Sequence, residues 1–473
     1  MTASRRIGWV GALGLLAAGV AAGPVDDPAT APASPADLQR QIRELRDEVR
    51  ELRAALGAGP ADRPPYDARD VEAAVDSVLR DADARTRLLA ADDGAFVGGW
   101  RDGQFAIRSA DGRFLLHPYV HFQFRSVTNV GGGGNDAENG FEARRVKFGF
   151  DGNAFGPDLK YHFLWGTDRK TGDLVLEEAF AAYRVGTVGL PDPVTVQAGQ
   201  FKDYFAHESL ASSRKLFAAE RSLVNVMFTG GDNFVQGVGV QYNEGPQGGP
   251  LKASVAVTDG ANDANRNFQD YPNNRWDFGV AARVEYKAFG HWKDYEDFTA
   301  LGLRAPLLVV GAGVDYSQGG DFAQLLHTVD VQYKAGPWAL YAAFLGRCLR
   351  NAGVGGHGGP TPDHAGGGVT DAYDWGVTAK AGYLLTPRWE VFGQYSFTHL
   401  DASEFGAAGG AAADVHEVTA GVNWYLRGHA AKVTVDFTWL PDGSPVGCDG
   451  AGVLVQPDGD GEFVIRAQFQ LLL

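Results

Sequence analysis

The chain has 473 residues, with 58 Asp and Glu against 42 Lys and Arg and a formal charge of −16. With no basic excess to neutralise phosphates, it excludes nucleic acid as a partner. Hydrophobic residues make up 45% and are spread evenly. Beyond the N-terminus no apolar run reaches the roughly 18 residues of a membrane-spanning helix, which excludes a helical membrane bundle. The 64 glycines, 28 Phe, 16 Tyr and 10 Trp suit many strands and tight turns, and two cysteines are too few for a disulfide scaffold.

Arg5 and Arg6 precede an apolar run from Ile7 to Ala22 ending in Val-Ala-Ala. Charge, length and small-residue end predict a secretory signal peptide over 1–22, the arginines being ordinary n-region charge rather than a twin-arginine signal. A Pro- and Ala-rich linker follows over 23–36. Over 37–57, Leu38, Ile42, Leu45, Val49, Leu52 and Leu56 recur at spacings of four and three. That is a heptad seam, with Ile42, Val49 and Leu56 at a and the leucines 38, 45 and 52 at d, a pattern favouring two-stranded coiled coils. Residues 58–103, containing VEAAVDSVLRDADARTRLLA after Pro64 and Pro65, read as a helical spacer and linker in the periplasm.

From about residue 104 to 473 the period becomes two. In HPYVHFQFRSV, Val120, Phe122 and Phe124 alternate with His121, Gln123 and Arg125, and the split recurs in FEARRVKFGFD and DLKYHFLWG. A soluble sandwich would turn the apolar face inward and a membrane barrel would turn it to lipid. About sixteen candidate strands can be counted, many longer than the usual soluble strand of about five or six residues. Connections alternate between long and short, which is the outer-membrane barrel pattern. Two break the alternation, the long HWKDYEDFTALG and the short QGGD, and a misplaced strand boundary is expected there. The fold class expected is therefore all-β: a transmembrane antiparallel β-barrel of about 16 strands with an N-terminal helical, coiled-coil extension.

The third long connection contains GQFKDYFAHESLASSRKLFAAERSL, read as a loop of about 202–232 folded into the lumen. This run, with RRVKFGFDGNAFGPDLKYHF and the final FVIRAQFQLLL, resembles the phosphate-selective porin O and P family of bacterial outer membranes. The resemblance implies a sixteen-stranded trimeric channel whose third long loop forms a constriction, and a trimer asks three strands of the coiled coil. It also implies anion passage past lumen arginines and lysines, since an anion leaving water needs hydrogen bonds and positive potential. By face alternation the pore-wall candidates are Arg125, Arg145, Lys147, Lys160, Arg283, Lys380, Lys432 and Arg466. On the loop they are Lys202, Arg214, Lys215 and Arg221, with Phe201, Tyr204, Phe205, Leu210, Leu216 and Phe217 packing it to the wall. Asp277, Glu285, Asp330, Glu390, Glu417, Asp436 and Glu462 fall on the same faces, where pairing would cancel much of the field.

Other chemistry is sparse. His357 and His364 lie in a Gly-rich loop and are read as solvated rather than metal ligands. Cys348 and Cys448 both fall at the outer rim, where a disulfide is one reading and free thiols the other. No phosphate-cradling loop or nucleophile elbow occurs, so no catalytic residue, cofactor or metal is expected. The chain ends on Leu473, where the family usually places an aromatic residue.

The expected function is a passive outer-membrane diffusion channel for small hydrophilic solutes, with anions such as phosphate preferred. Its expected partners are lipid, such solutes, two further copies and the cell wall through the N-terminal helices. The alternatives are a barrel that only anchors those helices as a tether between outer membrane and cell wall or surface layer, and a soluble secreted β-protein.

Overall fold

The computed structural model describes residues 96–101, 104–131, 137–244, 248–270, 276–350, 371–401, 414–444, 451–454 and 461–473. The expected signal peptide, linker, coiled coil and most of the spacer lie outside these residues, as do His357, His364 and Cys448. Sixteen strands form the wall: β3 (Leu115–Gly131), β4 (Ala137–Asn153), β5 (Leu159–Thr167), β6 (Leu174–Gly186), β7 (Val194–Lys202), β8 (Phe234–Tyr242), β9 (Leu251–Thr258), β10 (Phe278–Phe289), β11 (Leu307–Gly319), β12 (Phe322–Ala335), β13 (Trp338–Arg350), β14 (Asp371–Thr386), β15 (Trp389–His399), β16 (Asp414–Arg427), β17 (Ala431–Leu440) and β18 (Glu462–Leu472). Each pairs antiparallel with the next. β18 returns to β3, from Glu462 opposite Gly131 to Leu472 opposite His121, and closes the barrel. Closure matters because lipid offers no partner to an unpaired amide.

Side-chain alternation decides which face points inward. Along β12, Gln324, Thr328, Asp330, Gln332 and Lys334 face the lumen and are at most 4% exposed, while Leu325, Val329 and Tyr333 face outward. With the apolar set outside, the wall suits lipid and not water. At the rim of short turns, Trp338 packs on Tyr383 and Trp389 stacks on Trp424, forming part of an aromatic girdle. Leu473 extends the seam, exchanging backbone bonds with Val120 at 2.9 and 3.0 Å.

Two expectations are corrected. Both irregular connections are genuine, with no misplaced boundary. β11 and β12 are joined by a tight hairpin with Gly320 at φ 57°, a conformation that glycine adopts without steric cost. The β10–β11 connection is long because it turns into the barrel. It carries α3 (Trp292–Tyr295), and Trp292, Tyr295, Phe298 and Ala300 are buried. The second correction concerns the spacer expected through residue 103. Phe96–Arg101 is a strand, β1, paired with β2 (Gln104–Ser109). β2 joins the start of β3 through Ile107 and Arg108.

Candidate functional site

The lumen is organised by residues 203–233, between β7 and β8. α1 (His207–Leu210) and a 3-10 turn (Ser213–Lys215) lead to α2 (Leu223–Thr229). Ser222 caps α2 by accepting from the Asn225 amide, and Gly230, at φ 68°, ends it. Phe205, Leu216, Phe217, Leu223, Val224 and Phe228 bury the loop's apolar side against the wall. The wall makes room with glycine: a Cβ on Gly376 or Gly382 would overlap Val224 or Phe217.

Polar side chains hold the loop all round. Glu220, 4% exposed, receives Arg125 Nη1 at 2.7 Å, Arg145 Nη2 at 2.7 Å and Arg144 Nε at 2.5 Å. Burial alone would raise its carboxyl, but the guanidiniums of Arg144, Arg145 and Arg125 outweigh that and hold it well below the usual range. The neighbouring Ala219 amide donates to Asp436 on β17 at 2.8 Å. Residues 219 and 220 thus grip strands on the two sides of β18. Farther round, Glu208 pairs with Lys380 and accepts from the Ser222 amide and hydroxyl at 2.7 Å each. Leu223 N donates to Glu417 and Asn423 Nδ2 to Phe217 O.

The β10–β11 connection meets this loop from the opposite rim. His207 stacks on Tyr295 at 3.9 Å between centroids, Phe298 packs edge-on to Phe217 and Tyr341, and Phe298 N donates to Lys215 O at 3.2 Å. Arg283 joins both, donating to Phe205 O (2.9 Å), Tyr295 Oη (3.0 Å) and Asp330. Lys334 Nζ donates to the carbonyls of Asp294, Asp297 and Thr299. Burial pushes the His207 imidazole down to about 4, the nearby Asp330 only partly opposing it.

The cations expected to face the passage fall into two groups. Lys202 and Arg221 do not face it. Lys202 donates to Ser209 O at 2.8 Å and pairs with Asp232, and Arg221 pairs with Asp232 at 2.6 Å while donating to the Glu208 and Ala211 carbonyls. Lys432 is likewise hidden on Leu216 O, and Arg466 is tied to Asp436, Thr438 and Ala451 O. Arg125, Arg145, Arg283 and Lys380 are 6% exposed or less. The physical reason is common to all: a buried cation is tolerated only when paired or caged by carbonyls, so these serve as fastenings. Lys147 is bound to Glu177 at 2.5 Å, and Lys160 is half-exposed, 3.7 Å from Glu244. Arg214 and Lys215 stay accessible, Lys215 beside the exposed Glu296. Among the described residues Cys348 is a free thiol, and no group of three His, Cys, Asp or Glu could hold a metal.

Face alternation missed two lumen residues, Arg144 and Glu177. β4 and β6 each carry a bulge there, opposite Gln123–Phe124 and Leu164–Trp165, so one extra residue turns inward beside its neighbour. The signal is a parity change: the apolar residues run 141 and 143, then 146, 148 and 150; in β6 they run 174 and 176, then 179, 181 and 183.

Two cavities remain beside the loop. One, of about 200 Å³, lies against β3–β6 and is lined by Tyr119, His121, His162, Glu178, Lys202 and Arg214 among others. The other, of about 210 Å³, opens below the inward connection, with Lys215, Lys293, Arg304 and Lys334 against Asp294 and Asp297.

Comparisons accord with this geometry. The family model "Phosphate-selective porin O and P" matches residues 120–441. Among solved structures, the anion-selective porin from Comamonas acidovorans superposes with TM-score 0.51 at 12% identity, covering 76% of this chain and all of that one. OmpF of Salmonella typhi, in complex with daunomycin, gives TM-score 0.50 at 16% identity, covering 79% of this chain and all of that one. Both likenesses concern the fold. No curated protein matches the sequence significantly.

Proposed function

This chain belongs to the phosphate-selective porin O and P family and is an outer-membrane channel, and on that premise we propose that it passes small hydrophilic solutes by passive diffusion with a modest preference for anions. The observation that carries the preference is the cavity below the constriction. Lys215, Lys293, Arg304 and Lys334 line it with Asp294 and Asp297; Lys215 pairs with Glu296 at 3.3 Å and Lys334 is caged by carbonyls, so Lys293 and Arg304 are the cations left to a solute. Asp297 is engaged by His429 at 2.8 Å, which leaves Asp294 as the carboxylate opposite Lys293 and Arg304 and a small positive balance for a solute to meet. The preference is modest because most other lumen cations are neutralised in pairs.

The protein works as a homotrimer, exported by its signal peptide, with the N-terminal helices in the periplasm. The likeness of the fold to an anion-selective porin supports the anion preference by analogy. The tether reading finds no support, since an inert anchor has no need of a lumen loop fastened on every side. The test is reversal potential across a salt gradient in a planar bilayer, then with phosphate added. A chloride-side reversal that shrinks when Lys293 and Arg304 are changed to Gln is expected; cation selectivity would overturn the preference.

A further inference from the structure

The cavity against β3–β6 carries a charge arrangement that the fastenings do not use. Arg214 has no carboxylate partner among the described residues. Its Nε donates to Ser212 Oγ at 3.0 Å, and its guanidinium lies 5.9 Å from the centroid of the Tyr119 ring. Tyr119 Oη meets His162 Nε2 at 3.3 Å. Across the row, the Glu178 carboxylate makes no hydrogen bond within the described residues, its nearest partner being His162 Nε2 at 4.0 Å. His121, 4% exposed, lines the same cavity with its Nε2 unpartnered. A free cation, two rings, a free carboxylate and an unsatisfied imidazole therefore line one water-accessible space. Glu178 points there because the bulge at Glu177 turns both glutamates inward, leaving Glu177 to Lys147.

We propose that this cavity is a binding subsite for short zwitterionic peptides, the carboxylate on Arg214, the ammonium on Glu178 and the backbone along Tyr119, His162 and His121. Two unpaired charges of opposite sign set apart by aromatic rings favour a solute whose own charges are separated, over an anion of one charge. Ring steps of 5.9 and 6.2 Å, and 4.0 Å from His162 Nε2 to Glu178, trace a path between the two charges that bounds their separation from above. A tripeptide spans about 10 Å extended, and a hydrogen bond at each end completes the reach. His121 lines the same cavity and its Nε2 is unpartnered, which leaves a polar atom for a peptide group to satisfy. This rests on the porin reading and narrows its solute class.

The test uses full-length protein in a planar bilayer with triglycine, N-acetyltriglycine and triglycinamide as blockers of ion current. Triglycine is expected to block at lower concentration than either capped form. Losing one charge-assisted contact raises the half-blocking concentration about tenfold. Glu178→Gln should make triglycine and N-acetyltriglycine equal, and Arg214→Gln should make triglycine and triglycinamide equal. Arg214→Lys and Glu178→Asp should retain the preference, and heat-modifiable gel mobility checks that each variant folds. N-acetyltriglycine blocking as well as triglycine would overturn the proposal in favour of a simple anion site, and equal block by triglycinamide in favour of a cation site. Ion current with no block by any of the three overturns it while leaving the porin standing. No ion current at all overturns both.

Discussion

Changing Glu220 to Gln keeps the shape of the loop tip and removes one buried charge. In the native lumen that carboxylate receives three guanidiniums at 2.5 to 2.7 Å, and Arg125 and Arg145 are at most 5% exposed. Arg125 keeps Glu142, but Arg144 and Arg145 lose the only carboxylate within salt-bridge distance among the described residues. Breaking a buried pair while leaving its partner charged costs about 3–5 kcal/mol. Taken wholly from docking of the loop, that lowers the docked-to-released ratio by about 10² to 10⁴. Single-channel recording should show larger and noisier conductance, and the reversal potential should move toward anions as the arginines are uncovered. Acid should weaken the latch gradually: a carboxyl held below its ordinary value contributes stability that is fully present above that ordinary value of about 4.3 and is lost as pH falls from there through the lowered value. Unchanged conductance, noise and selectivity in Glu220→Gln would refute the claim that this cluster fastens the constriction.

Three further outcomes are expected. Acidification from pH 7 to 5 should loosen the α1 side of the loop, because the neutral His207 favoured in the fold, with a value near 4, must compete with a proton taken up by the released imidazole below about 6.5. The expected loss is about 2 kcal/mol at pH 5, read as a rise in channel noise that is absent in His207→Gln. Phe298→Ala should separate the two inward connections, costing about 3–5 kcal/mol in packing, seen as a lower temperature for the heat-modifiable band. Asp330→Asn leaves Arg283 with Glu285 as its sole carboxylate among the described residues, and should lower that temperature by a comparable amount where Asp277→Asn, at the rim, should not.

Most of the wall was legible because lipid outside and a polar lumen impose strict alternation. The alternating run HPYVHFQFRSV falls within β3, and DLKYHFLWG coincides with most of β5. What alternation cannot express is a change of parity within one strand, so Arg144 and Glu177 are passed over by it. Nor can it tell a cation facing water from one caged by carbonyls. Lys202 and Arg221 have the same sequence signature as Arg214, and only the loop's path decides that the first two close onto Asp232 while the third stays open. The inward β10–β11 connection was visible only as excess length, since its buried Trp292 and Phe298 lack a periodic neighbour.

The grip of residues 219 and 220 also bears on the order of assembly. One holds β17 and the other β3 and β4, with the last strand of the chain between them. The loop is therefore an internal clasp across the joint where the first and last parts of the wall meet. A barrel still open along that joint has no place to seat the clasp, so sealing of the cylinder and narrowing of its bore should occur as one event during insertion. An unfinished barrel would then be a wide one, and the protein would reach its restrictive state only when the chain's two ends are in register.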